Sequence, residues 1–199
     1  MSDLLTSEEQ QPPAVGLPSS ATSTAQFGVI VFLASDVMLF APFFAAYFLL
    51  RANNQPWPPE GVELNVPRAF FGLLLLMTSS VTFVLAERAG VRPGGRGAMR
   101  RWLLVTMALG SAFLVNQLLE YASLDFGADT PYGSVFYTLT GLHGLHVLTG
   151  VAAIGLLFVR AVRSRDHRDI AAWEGGVSLF WHLVDVIWVL VFSTIWLLR

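Results

Sequence analysis

Apolar side chains run almost unbroken through five stretches of this chain: Phe27 to Leu50, Ala69 to Leu85, Trp102 to Leu119, Val135 to Val159 and Val177 to Leu198. Each approaches or exceeds the ~20 residues that a helix rising ~1.5 Å per residue needs to cross the hydrocarbon core of a bilayer. Barrel strands would alternate apolar and polar positions over about ten residues. These runs are longer and continuous, so the pattern predicts helices, which satisfy their backbone hydrogen bonds internally. The expected fold is all-α, a polytopic bundle of five transmembrane helices occupying residues 26–199. Residues 1–25 have no basic start and no long apolar run, which argues against a secretory or transit peptide and predicts a disordered cytoplasmic tail.

Polar residues interrupt these stretches where lipid would penalise them. Asp36 lies nine residues beyond Phe27, ~13 Å along the first helix. No basic residue inside that stretch neutralises it, so it either holds a proton or faces a partner helix or hydrated cavity. Pro42, six residues on, removes the backbone bond to Met38 and predicts a local bend. The third stretch ends in NQLLEY, where Asn116 and Glu120 share a helix face. Glu120 stands at the negative end of the helix dipole, which disfavours its charge and calls for a donor from another element or a proton.

The fourth stretch carries His143 and His146 in TGLHGLHVLTG, beside Gly141, Gly144 and Gly150, which permit close helix approach. The fifth places Ser178, His182 and Asp185 on one face. Helical rise puts Asp185 ~12 Å in from Val177, level with Asp36, so the two carboxylates are expected to share one inner pocket. For His143 and His146 the simplest reading is hydrogen bonding across a packed interface. HxxH alone does not make a metal site: neither HExxH nor a pair of Glu-x-x-His motifs occurs. His182 and Asp185 read equally as a pair that fixes helix rotation and as a proton-handling pair. The tryptophans at 181, 188 and 196 read as packing and interface anchors.

Composition agrees with a bilayer as solvent, since 54% of the 199 residues are hydrophobic and 13% charged, about half the charge of a soluble domain. The absence of cysteine excludes disulfides, thiolate metal sites and iron–sulfur clusters. Every basic residue is arginine. Arg88, Arg92, Arg96, Arg100 and Arg101 follow the second stretch, and Arg160, Arg163, Arg165 and Arg168 follow the fourth. The positive-inside rule makes both loops cytoplasmic, with the amino terminus inside and Arg199 outside. The segment from Tyr121 to Ser134, with Asp125, Asp129 and no basic residue, then faces out. The inner arginines, Arg88 to Arg101, are candidates for binding anionic lipid headgroups. The loop RANNQPWPPEGVELNVP reads as a rigid surface loop with Trp57 at headgroup level.

Taken in order, FLASDVMLFAPFFAAYF, the PWPP loop, NQLLEY, YGSVFYTLTGLHGLHVLTG and FWHLVDVIWVLVF resemble subunit III of the haem–copper terminal oxidases, most closely cytochrome c oxidase, from Phe27 to Arg199. The resemblance implies a non-redox subunit beside catalytic subunit I, with subunit II and other oxidase subunits as further partners and a larger respiratory supercomplex as the setting. It implies support for proton uptake, stabilisation of the catalytic site and bound phospholipid. Haem and copper belong to the partners, no cofactor or metal is expected in this chain, and nucleic acid is not a partner. The expected location is the bacterial plasma membrane. The family usually has glutamate where Asp36 stands, and its long members have seven helices, whereas this chain matches the five-helix form. A quinol oxidase subunit III and an accessory subunit of nitric oxide reductase share the pattern. A proton-coupled transporter also places carboxylates in the membrane, but five spans without a visible repeat argue against it. A membrane-embedded metal hydrolase lacks its motif.

Overall fold

A computed structural model describes residues 24–164 and 168–198 of the chain. The predicted tail, residues 1–25, lies almost wholly outside the described residues, as does Arg165. Five long helices follow one another: α1 (Thr24–Asn53), α2 (Val66–Gly90), α3 (Arg96–Ala122), α4 (Pro131–Arg163) and α5 (Arg168–Phe192), the last continuing into a π-helical turn over Ser193–Leu197. No strand occurs among the described residues, and all five helices are long and apolar enough to cross a membrane.

Helices α1 to α4 extend beyond their apolar stretches at both ends, whereas α5 begins earlier than its stretch and its π-helical turn stops at Leu197. α2 starts where the Asn65 side chain accepts from the Arg68 amide at 3.0 Å, with Pro67 in the first turn, where no amide is needed. Thr130 caps α4 in the same way, accepting from the Gly133 amide at 3.0 Å ahead of Pro131. Gly94, with φ of +72°, makes the tight turn between α2 and α3. Pro42 lies inside an unbroken α1.

Helices α2, α3, α4 and α5 close into a ring in which each packs on its sequence neighbour and α5 returns to α2. α1 stands outside this ring, against α4 and α5. Most of the buried core belongs to the ring, with Phe40 and Tyr47 added by α1. Trp181, Trp188 and Trp196 are all buried there, so the interface-anchor part of their sequence reading is corrected. Trp181 sits in a slot cut by two glycines: a methyl on Gly150 would come within 2.6 Å of its ring, and one on Gly110 within 2.8 Å. Of the three glycines flanking the fourth-helix histidines, Gly150 makes the close approach. Gly144 faces open space, and a methyl on Gly141 would find only ordinary contact, 3.7 Å from the Tyr121 hydroxyl.

The Pro-rich loop also differs from its reading. Trp57 is 7% exposed and wedged edge-on between Tyr47 of α1 and Tyr132 of α4, with ring centroids 5.5 and 5.0 Å away. The loop therefore folds over the bundle end and ties α1 to the ring, with its indole buried against protein. Arg51, in the last turn of α1, adds a second tie by donating to the Leu198 carbonyl.

Candidate functional site

The membrane carboxylates and imidazoles sort into separate helix seams. On the seam between α1 and α4, Asp36 is 7% exposed, and its Oδ1 lies 2.9 Å from His146 Nε2. The other ring nitrogen, Nδ1, lies 2.7 Å from the Leu142 carbonyl. A carbonyl can only accept, so Nδ1 must carry a hydrogen. One further proton then lies between Nε2 and the Asp36 carboxyl. Placed on oxygen it makes a neutral acid beside a neutral imidazole; placed on nitrogen it makes an ion pair. Both arrangements have zero net charge, which suits an apolar interface. Phe40 and Phe180 flank the imidazole at 5.1 and 6.4 Å between ring centroids.

The seam between α2 and α5 is organised differently. Ser80 Oγ meets His182 Nδ1 at 2.6 Å, and Trp181 Nε1 donates to Ser79 Oγ at 3.1 Å. Asp185, one turn beyond His182, is 3% exposed. It lies near Ser80, yet neither carboxylate oxygen meets hydrogen-bond geometry with any side chain or backbone group. The shared inner pocket expected for Asp36 and Asp185 is therefore corrected: Asp36 turns to α4, Asp185 to α2. Equal depth along two helices does not fix the rotation of either.

His143 lies inside the ring, fully buried. Its imidazole stacks on Trp188, with centroids 4.8 Å apart and planes 26° apart, and meets the edge of Phe113. It makes no hydrogen bond from either nitrogen, unlike His146 three residues on. The two histidines of HGLH thus face different surroundings, because three residues on a helix leave a rotation of ~60° between them.

Glu120 acquires a counter-ion from another element. Arg68, on the first turn of α2, brings its Nε within 3.8 Å of Glu120 Oε2, while its Nη1 donates to the Leu119 carbonyl and Ser123 Oγ, each at 3.1 Å. Asn116 Nδ2 donates to the Arg68 carbonyl at 3.4 Å. Sequence reading missed Arg68, although a signal existed: it begins a span at the end of the bundle where basic residues are scarce. Tyr47 and Ser80 were also missed, and nothing in their local sequence marks them.

The inner arginines divide. Arg96 donates to the Ser164 carbonyl at 3.1 Å, and Arg100 donates to the Ala161 carbonyl at 2.8 and 3.1 Å. These two close the carboxyl end of α4, whose last carbonyls have no helical donors. Part of each guanidinium is thereby engaged within the chain. Arg88 and Arg101 project from helix ends, and Arg92 lies in the turn between α2 and α3. Among the described residues, no three His, Asp or Glu side chains converge as they would around a metal ion.

Residues 18–198 match the family model described as cytochrome c oxidase subunit III. The cytochrome c oxidase subunit 3 of Thermostichus vulcanus is 37% identical over 177 residues, which cover 86% of each chain. That of Corynebacterium diphtheriae is 39% identical over 179 residues, 86% of this chain and 87% of the relative. The probable cytochrome c oxidase subunit 3 of Mycobacterium tuberculosis H37Rv is 40% identical over 177 residues, with the same coverage. All three names specify cytochrome c oxidase, and none specifies quinol oxidase or nitric oxide reductase.

Proposed function

Because the chain belongs to the cytochrome c oxidase subunit III family, it is a multi-pass membrane subunit of a cytochrome c oxidase, and we propose that it serves the complex through the protonatable Asp36–His146 pair. The pair's geometry carries this reading. A carboxyl and an imidazole 2.9 Å apart, screened from water and neutral together, form a store for one exchangeable proton. Placed beside catalytic subunit I, with the arginine-bearing bundle end cytoplasmic in the bacterial plasma membrane, the store feeds proton uptake. Haem and copper stay in the partner subunits. Three of this chain's imidazoles already have other engagements: His146 with Asp36, His182 with Ser80 and His143 against Trp188.

The decisive experiment is Asp36→Ala in the intact oxidase, with Asp36→Asn as an isosteric control. Both variants assemble with normal haem absorption. Turnover and proton uptake fall increasingly as pH rises, where free protons become scarce and a local store matters most. Turnover equal to wild type across the pH range would remove the role.

Phospholipid binding is the second part of the proposal. A groove of about 490 Å³ between the inner halves of α1, α4 and α5 is lined by Val29, Phe32, Leu33, Ala153, Val177 and Phe180, among others. Trp173 lies at its inner rim, where Arg160 places its guanidinium 4.0 Å from the centre of the indole ring. Apolar walls below a cation suit an acyl chain with an anionic headgroup. Native mass spectrometry of the oxidase should find retained lipid, and Arg160→Gln should reduce it.

A further inference from the structure

At the periphery of the α2–α5 seam, one imidazole nitrogen finds no partner within the chain. His182 spends Nδ1 on Ser80 Oγ at 2.6 Å, and Phe83 meets the edge of its ring, with centroids 6.2 Å apart. Its Nε2 has no hydrogen-bond partner among the described residues. It is not sealed in as the oxygens of Asp185 are, and His182 is partly exposed. By contrast, Asp36, His143 and Asp185 are buried, and both nitrogens of His146 are bonded. His182 therefore keeps a polar atom available to another molecule.

Depth makes that atom costly. His182 lies nine residues beyond Trp173, where the α5 span begins, and Ser80 lies ten before Gly90, where α2 ends. Helical rise puts both ~13–15 Å from the bundle end, well inside the hydrocarbon. An acyl chain offers neither donor nor acceptor, so an imidazole nitrogen left against lipid forfeits a hydrogen bond. Its surroundings are apolar. Leu179 and Val186, one turn to either side of His182, are 47% and 56% exposed, and Met77 and Val84 flank Ser80 in the same way, partly buried. One polar point in an apolar patch is the pattern of helix–helix contact in a membrane, where an interhelical hydrogen bond adds direction to close packing.

We propose that the α2–α5 seam is a face on which this chain docks against a neighbouring oxidase subunit, and that a membrane helix of that subunit brings a hydroxyl or amide side chain to His182 Nε2. The proposal rests on the chain being an oxidase subunit. The neutrality of the partner follows from the Ser80 bond. A serine hydroxyl can donate to Nδ1 or accept from it, which leaves Nε2 as donor or acceptor, and a hydroxyl or amide serves both forms. A charged partner would add a desolvation cost in an apolar interface. On the α1–α4 seam His146 finds its partner within the chain, so that side calls for no such group.

The test places a photoreactive benzophenone amino acid at Leu179 or Val186 in the intact oxidase. Links from both positions should reach a membrane helix of an oxidase subunit other than this chain. In parallel, oxidase carrying His182→Leu or His182→Gln is challenged with rising detergent, and the chain is quantified per haem. Equal amounts of chain in the membranes before extraction establish that the variants fold. His182→Leu should dissociate at least about fivefold more readily than wild type. His182→Gln, whose amide nitrogen can stand in for Nε2, should recover part of that loss. Links confined to lipid or to a second copy of this chain would overturn the proposal, as would retention of His182→Leu equal to wild type. If His182→Leu does not accumulate in the membrane, the links from the chain that keeps His182 decide alone. Failure of the wild-type chain to accompany haem at all would overturn the subunit reading instead.

Discussion

The apolar stretches of α1 and α5 each carry one acidic residue, Asp36 and Asp185, yet they solve the problem of a membrane carboxylate in opposite ways. In α5, 56% of the most apolar stretch is buried within the bundle, against 11% in α1. The peripheral helix has its carboxylate bonded to His146, whereas the central helix leaves Asp185 without a hydrogen bond. A helix on the rim has lipid or another protein on most sides, so its charge must be neutralised by the one neighbour it touches. A helix inside a ring is shielded by packing alone. Burial and partnership are therefore separate properties.

The sharpest way to break this contrast is Trp181→Ala. Emptying the slot at Gly110 and Gly150 should cost about 3–5 kcal/mol and release the chain from heated oxidase at much lower temperature. Filling the slot from the other side, with Gly150→Val, should cost about 1–3 kcal/mol through overpacking, read by the same release profile. On the peripheral seam, His146→Leu leaves Asp36 buried without its partner and should cost about 1–3 kcal/mol. Adding Asp36→Leu should return part of that loss, and the two changes should be strongly non-additive. Asp185→Asn should be neutral or slightly stabilising, within about 1 kcal/mol, because it breaks no hydrogen bond. A large loss there would show that Asp185 is held by Ser80 of α2. The smallest effect belongs to Met38→Ala on the outer face of α1, within about 0.5 kcal/mol if that face meets lipid. A larger cost would place a partner subunit on it.

The elements were legible because a twenty-residue apolar run has few alternatives in a bilayer, and NQLLEY announced that Glu120 needs a donor. Its counter-ion, Arg68, was not identified, since it comes from α2, 52 residues away in sequence. Depth arithmetic placed Asp36 and Asp185 at one level, and the structure turned them to different seams. Nor did the proline-rich setting of Trp57 announce that Tyr47 and Tyr132 would flank it.

What the chain determined by itself is the number of spans, their order and which spans carry buried charge, because transfer into lipid depends on composition and length. Only the tertiary structure decided which helix lies outside the ring and which histidine meets Asp36. Those outcomes depend on helix rotation and on side chains distant in sequence. A continuous apolar surface leaves rotation unspecified until glycine slots and tryptophan rings interlock.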